Sequence, residues 1–174
     1  TQGSLLKLGV DRSIPIGDGK ISMTKARASF TQYMPVKLVN FSPGSQALVF
    51  NVQGGTILGD LPPYEAFSLG GTTSVRGYED GDVGSGRSYV QATAEYRFPI
   101  VSIVGGTVFA DYGSDLGTGN SIPGDPAGTR SKPGDGFGYG AGIRLTSPIG
   151  PIRIDYARNS RAETRIQFGI GERF

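Results

Sequence analysis

The chain has 174 residues, with 17 Lys and Arg against 15 Asp and Glu and a formal net charge of +2. This charge is too weak, and the basic residues too scattered, to indicate nucleic-acid binding. Cysteine and histidine are both absent from the sequence, which excludes disulfide frameworks, zinc sites with nitrogen or sulfur ligands, thiol nucleophiles and histidine-based triads. The 29 glycines and 11 prolines fall inside patterned segments, so we expect one ordered domain.

Apolar patterning with a period of two dominates the chain and predicts strands. No apolar run reaches the 18 or so residues of a membrane helix, and no signal peptide opens the chain, so we expect it to begin after processing or to be part of something longer. In chain order, strands are predicted at about 4–10, 21–33, 46–58, 89–99, 102–112, 137–146, 152–156 and 164–174.

The connections between these eight predicted strands alternate between short and long. Those at 99–101 and 147–150 are short, whereas 59–87 and 113–135 are long. Short turns on one side and long loops on the other are typical of an antiparallel outer-membrane β-barrel, which spans lipid without a helix. No linker divides the chain into two domains.

A soluble β-sandwich would also show alternating strands. Two observations favour lipid over this alternative. The faces opposite the apolar ones carry Gly, Gln, Thr, Arg, Asp and Glu, as a polar lumen would. The strand ends carry aromatic residues, where the girdles at a membrane interface lie: Phe98, Tyr112, Tyr139, Tyr156 and Phe174.

The glycine-rich segment 69–88 contains the motif Val75-Arg76-Gly77-Tyr78. An arginine held in the middle of a loop can reach a carboxylate and fix the loop in one place. Gly77 is needed if the backbone adopts a positive φ or approaches the wall closely. We expect Tyr78 to pack at the loop tip while its hydroxyl finds a partner.

Three other patterns do not support a site of chemistry. The acids at 79, 80 and 82 lie beside glycines and read as a solvated turn rather than a calcium site. The serines at 85 and 88 have no histidine or nearby lysine as a base. The glycines of 138–142 alternate as a strand, with no helix after them to hold a phosphate; as small inward residues they leave room for an inserted loop. We therefore predict no catalytic residue, no metal and no cofactor.

Several of these motifs together resemble the outer-membrane barrel superfamily that includes BamA, TamA and FhaC. Two of them, at 84–89 and 150–155, are most similar in sequence to the cyanobacterial and chloroplast-envelope branch. The resemblance is strong from about residue 65 onward, and it rests on the arginine motif and on the segments 84–89, 94–99, 108–113, 138–144, 150–155 and 168–174.

The resemblance implies a sixteen-stranded barrel whose arginine loop lies between strands eleven and twelve. Here the loop follows the third predicted strand, so the chain corresponds to strands nine to sixteen, the C-terminal half of the barrel. The first eight strands and the periplasmic or intermembrane-space domains of the family are then missing from it. The implied location is the outer membrane or the chloroplast outer envelope, with membrane lipid as one partner.

The family also implies residue roles. The loop folds into the lumen, and Arg76 bonds Glu95 and Asp111. Glu95 shares the polar face of its strand, whereas the face of Asp111 also carries Phe109. The last strand, 164–174, forms one side of a lateral seam, with Gly169 and Gly171 easing its opening and Phe174 at its end.

The function implied is the insertion of client β-barrel proteins, or the translocation of polypeptides, without enzymatic chemistry. The alternative is a passive pore or structural barrel, in which this half closes on itself or pairs with a second copy.

Overall fold

Eight antiparallel strands form one sheet, as the alternating pattern predicts. The structure is a computed structural model, and it describes residues 2–14, 21–148 and 150–174. The strands of this sheet are β1 Gly3–Arg12, β2 Met23–Pro35, β3 Ala47–Gly59, β6 Ser88–Val101, β7 Val104–Ser114, β8 Asp135–Leu145, β9 Ile152–Asn159 and β10 Thr164–Ile170, while β4 (Phe67–Leu69) and β5 (Gly84–Gly86) form a separate hairpin. The strand order in the sheet is β1-β2-β3-β6-β7-β8-β9-β10, so each strand pairs with the preceding strand of this sheet.

The long connections carry small elements that the strand pattern does not predict. Residues 60–87, here called the arginine loop, contain a 3-10 turn at Pro63–Glu65 and a two-stranded hairpin of β4 (Phe67–Leu69) and β5 (Gly84–Gly86). Residues 115–134 contain 3-10 segments at Gly119–Ser121 and Pro126–Ser131. Among the described residues, none of the helical segments has the length and apolar character to cross a membrane. The predicted short turn 147–150 includes Ile149, which lies outside the described residues.

The large sheet buries its polar face and exposes its apolar face. On β10, Ile166, Phe168 and Ile170 are 65–68% exposed. On β6, by contrast, Thr93 and Glu95 are at most 3% exposed. A sheet in a soluble sandwich does the reverse, whereas a transmembrane barrel places apolar side chains toward lipid and polar ones toward its interior. We call the polar side the inner face.

The arginine loop lies against this inner face and brings its own apolar core. Leu69, Val75, Tyr78 and Val83 form one cluster, each no more than 1% exposed. A second cluster joins Ile57 of β3 to the loop and to Ile122 of the 115–134 connection, and it is built from Ile57, Leu61, Phe67 and Ile122. The apolar packing that fixes the loop is therefore local to the loop and its neighbours.

The end of the last strand differs from the prediction. The pattern predicts a strand over 164–174, but β10 ends at Ile170. Gly171 has a φ of 87°, a left-handed conformation that ends an extended strand and suits glycine. Residues 171–174 then cross the inner face, where the carbonyl oxygen of Phe174 accepts a hydrogen bond from the Tyr33 hydroxyl at 3.3 Å. Of the three predicted seam residues, only Gly169 lies in β10.

One turn is also displaced: β6 continues to Val101, past the predicted turn at 99–101, so the reversal occurs at 102–103. The outer two strands, β1 and β10, do not pair with each other among the described residues. The sheet is therefore open, with one edge of β10 free of ladder hydrogen bonds within the part of the chain described.

Candidate functional site

A tight turn ties the arginine loop to β6 just before Arg76. The backbone N–H of Gly71 donates to the carbonyl oxygen of Val75 at 3.1 Å. The Ser74 hydroxyl donates to Oε1 of Gln91 at 2.9 Å and accepts from the N–H of Gly70 at 3.2 Å. These bonds turn the chain so that the side chain of Arg76 points toward the inner face of the sheet.

The Arg76 guanidinium binds carboxylates from three different strands. Nε and Nη2 donate to the two oxygens of Asp111 at 2.7 and 3.1 Å, a bidentate pair. Nη1 donates to Glu95 at 3.0 Å and to Asp155 at 3.4 Å. The guanidinium also lies 3.3 Å from the ring centroid of Phe109. Bidentate, charge-assisted bonds of this kind are directional and stronger than neutral ones.

The network is closed to solvent. The side chains of Arg76, Glu95 and Asp111 are all 0% exposed. Burial alone would lower the pKa of the Arg76 guanidinium, but the charges of Asp111, Glu95 and Asp155 and the hydrogen bond to Asp111 together raise the pKa above its ordinary value. The arginine is thus held permanently charged.

The acids of the network serve other arginines as well. Oε1 of Glu95 accepts from Arg144 at 2.6 Å and from Arg97 at 2.7 Å. Asp111 also accepts from Arg173 at 2.9 Å. Every carboxylate here is committed to arginines, so the arrangement is suited to holding elements together rather than to proton transfer.

Gly77 and Tyr78 extend the loop from the Arg76 network across the inner face to the end of β9. Gly77 has a φ of 92°, and a Cβ there would lie 3.1 Å from the backbone of Arg158 and Asn159. Its carbonyl oxygen accepts from Nδ2 of Asn159 at 2.9 Å. The Tyr78 hydroxyl lies 2.7 Å from Oγ of Ser160. Only glycine combines this φ with this approach.

The wall makes room for the loop at Gly138. A Cβ at this position of β8 would lie 1.8 Å from the carbonyl oxygen of Arg76. No side chain can occupy that space without moving the loop. Gly138 therefore leaves space for the inserted segment, as the sequence predicts, whereas a Cβ at Gly140 or Gly142 would instead meet Tyr156 or Asp155 of β9.

Within the described part of the chain, no group of three or more acidic residues is arranged to hold a metal ion. Glu79, one of the loop acids, instead pairs with Arg165 of β10 at 2.6 Å.

The structure brings together the loop motif and the two carboxylates predicted as its partners. The sequence did not show clearly which face of its strand Asp111 occupies. In the structure Asp111 and Phe109 both lie on the inner face, and each is at most 6% exposed. Of the residues predicted for a seam, Gly169 lies under the guanidinium of Arg153, since a Cβ there would be 2.4 Å from Nη2. That contact gives a reason for the glycine besides weak packing.

Several participants were not predicted, and three of them show what the sequence could and could not reveal: Asp155, Gln167, which accepts from the N–H of Gly77 at 3.0 Å, and Arg173. Alternation along β9 and β10 places the first two on the inner face, and this signal could have identified them as candidates. Arg173 could not have been found in this way, because its contact with Asp111 depends on the chain leaving β10 after Ile170.

The chain is similar to several known proteins. The profile of the Omp85 superfamily domain matches residues 1–174. Outer envelope protein 80 of chloroplasts is 52% identical over 130 residues in Arabidopsis thaliana, covering 75% of this chain and 18% of the relative. The rice protein of the same name (Oryza sativa subsp. japonica) is 42% identical over 170 residues, covering 98% of this chain and 24% of the relative.

TOC75 of the chloroplast in Pisum sativum is 34% identical over 179 residues, covering 99% of this chain and 21% of the relative. The chain thus spans about a quarter or less of the length of these relatives. In structure it resembles BamA from Haemophilus ducreyi lacking POTRA domains 1–3, with a TM-score of 0.70 at 19% identity, over 96% of this chain and 37% of that one. This structural similarity confirms the expected all-β barrel fold, and the chain belongs to the Omp85 superfamily.

Proposed function

We propose that this chain forms the C-terminal half of an outer-envelope or outer-membrane barrel that inserts or translocates polypeptides without covalent chemistry. The single observation that carries the proposal is the arginine loop, docked on the inner face by Arg76 through Glu95 and Asp111. Relatives named as outer envelope protein 80 and TOC75 support it, as does membership of the superfamily. The proposed whole protein adds the first barrel strands and the soluble domains.

In this proposal the docked loop is a latch and β10 is one side of a lateral seam. Client strands would add to the free edge of β10 by backbone hydrogen bonds, which an unpaired strand edge favours. The latch holds the barrel wall in shape while the seam opens. A passive pore of eight strands fits less well, because the loop occupies the inner face that such a small barrel fills with side chains.

A charge swap in the full-length protein tests the latch. Arg76→Glu places a fourth carboxylate among Glu95, Asp111 and Asp155, so we expect the rate of client-barrel assembly to fall at least tenfold. Combining it with Glu95→Arg or Asp111→Arg restores opposite charges and should recover part of the rate. The measurement is insertion of a client barrel into vesicles or isolated envelopes.

The matched control is the exposed ion pair between Arg27 of β2 and Asp11 of β1. Arg27→Glu should leave the assembly rate within about twofold, because exposed pairs contribute about 0–1 kcal/mol. Full-rate assembly by the Arg76→Glu protein would contradict the proposed role of the loop.

A further inference from the structure

The side chain of Gln167 connects β10 directly to the arginine motif. Its Oε1 accepts the backbone N–H of Gly77 at 3.0 Å, and its Nε2 donates to the carbonyl oxygen of Tyr78 at 2.8 Å. The primary amide thus pairs with the loop backbone through one donor and one acceptor, as a neighbouring strand would. We infer that Gln167 is a positioning residue that couples the position of β10 to the docking of the arginine loop.

The place of Gln167 in the sheet supports this role. It lies on the inner face of β10, between Ile166 and Phe168, which point outward and are 65% and 67% exposed. Its partner across the ladder is Asp155 of β9, and Asp155 bonds Arg76. The contact therefore extends the Arg76 network by one strand, to the edge of the sheet.

Two further contacts join β10 and its continuation to the loop. Arg165, two residues before Gln167 on the same face, pairs with Glu79 at 2.6 Å. Arg173, whose side chain is 1% exposed, donates to both oxygens of Asp111 and to the carbonyl oxygen of Ser74. The loop is thus held around Ser74 and Arg76 by β6, β7 and Arg173, and at 77–79 by β10.

This arrangement makes loop and edge strand mutually dependent. When β10 tilts or slides against β9, the two bonds of Gln167 lengthen, and at Gly77 the loop keeps only its bond to Asn159 of β9. When the loop undocks, β10 loses inner-face contacts that hold it beside β9. Coupling between two positions acts equally in both directions, so a change at either should be felt at the other. The inference rests on the proposed role of β10 as the seam strand.

The test uses the full-length protein in lipid vesicles and the substitution Gln167→Met, which keeps the length of the side chain and removes both hydrogen bonds. We expect amide hydrogen exchange in residues 69–83 to rise roughly tenfold, as the loss of two bonds at a half-buried site implies. We also expect a broader distribution of distances between spin labels at Ile166→Cys on β10 and Val108→Cys on β7. Arg76→Gln should broaden the same distribution.

Gln32 of β2 supplies the matched control. Its amide also bonds backbone carbonyls, those of Gly3 and Tyr33, at 3.2 Å each, so Gln32→Met removes similar bonds away from the loop and should change neither measurement. Gln167→Glu keeps an acceptor for Gly77 but loses the donor to Tyr78, and should give an intermediate rise in exchange if Gln167→Met does not fold.

Unchanged exchange in residues 69–83, or a loosened loop with unchanged label distances, would overturn the coupling. Client assembly measured in parallel separates this inference from the proposed function. A Gln167→Met protein that loosens both loop and seam yet assembles clients at the full rate would leave the coupling standing and contradict the function.

Discussion

Glu95 holds three arginines at once, and its neutralisation should be among the most damaging single changes in the chain. Its two oxygens accept from Arg144, Arg97 and Arg76 at 2.6, 2.7 and 3.0 Å, and its side chain is 0% exposed. Glu95→Gln preserves the shape but leaves the three guanidinium groups without this charge. Breaking a buried pair in this way costs about 3–5 kcal/mol.

Asp155 provides the comparison within the same network. It touches Arg76 through one oxygen at 3.4 Å, and Arg76 keeps Glu95 and Asp111 when that contact is lost. Asp155→Asn should therefore cost only about 1 kcal/mol, the value of one ordinary hydrogen bond.

The assay is urea-induced unfolding of the full-length barrel in vesicles, followed by far-UV circular dichroism and expressed as a free energy of unfolding. We expect Glu95→Gln to be at least about 2 kcal/mol less stable than Asp155→Asn. If the two substitutions cost the same, the number of arginines around a carboxylate does not control the stability of the latch, and the reasoning from burial and contact geometry is refuted.

Two further predictions concern the wall and the outer face. Gly138→Ala brings a Cβ against the carbonyl oxygen of Arg76 and should destabilise loop docking by about 1–3 kcal/mol, which protease cleavage in the loop would detect as a faster rate. Gly9→Ala is the control, because nothing lies within 4 Å of its Cβ. Equal cleavage of the two variants would contradict the close contact between the loop and Gly138. Phe168→Arg on the outer face should lower the free energy of unfolding in vesicles by about 2–4 kcal/mol if that face meets lipid. Tyr64→Arg, on an exposed 3-10 turn, should change it by less than about 0.5 kcal/mol. Equal losses of stability would argue against a lipid-facing surface.

The strands could be predicted from the sequence because alternation is a local signal. Each of the eight predicted strands overlaps an observed one, and the two long loops lie where the pattern of turns places them. The ends of the strands were less predictable. Continued alternation through Phe174 favours a longer β10, but Gly171 turns the chain inward, and contacts of Glu172 and Arg173 with β6 and β7 then hold it there. Contacts between distant segments leave no periodic trace in the sequence.

The site was predictable to the same extent. Parity placed Glu95 on the inner face, and the motif resemblance paired it and Asp111 with Arg76. Neither signal could rank Asp155 as a third acceptor or identify Gln167 as a partner of the loop backbone. Both contacts depend on how far the docked loop reaches across the sheet, and this distance is set by the packing of Leu69, Val75 and their neighbours.

The three carboxylates around Arg76 also have a consequence for the order of folding. Glu95, Asp111 and Asp155 come from β6, β7 and β9, and they lie 19, 35 and 79 residues along the chain from the arginine. Arg76 can find all three only after those strands have paired side by side. We therefore expect docking with all three acceptors to be a late step in folding, because it requires the strands from β6 to β9 to have paired first.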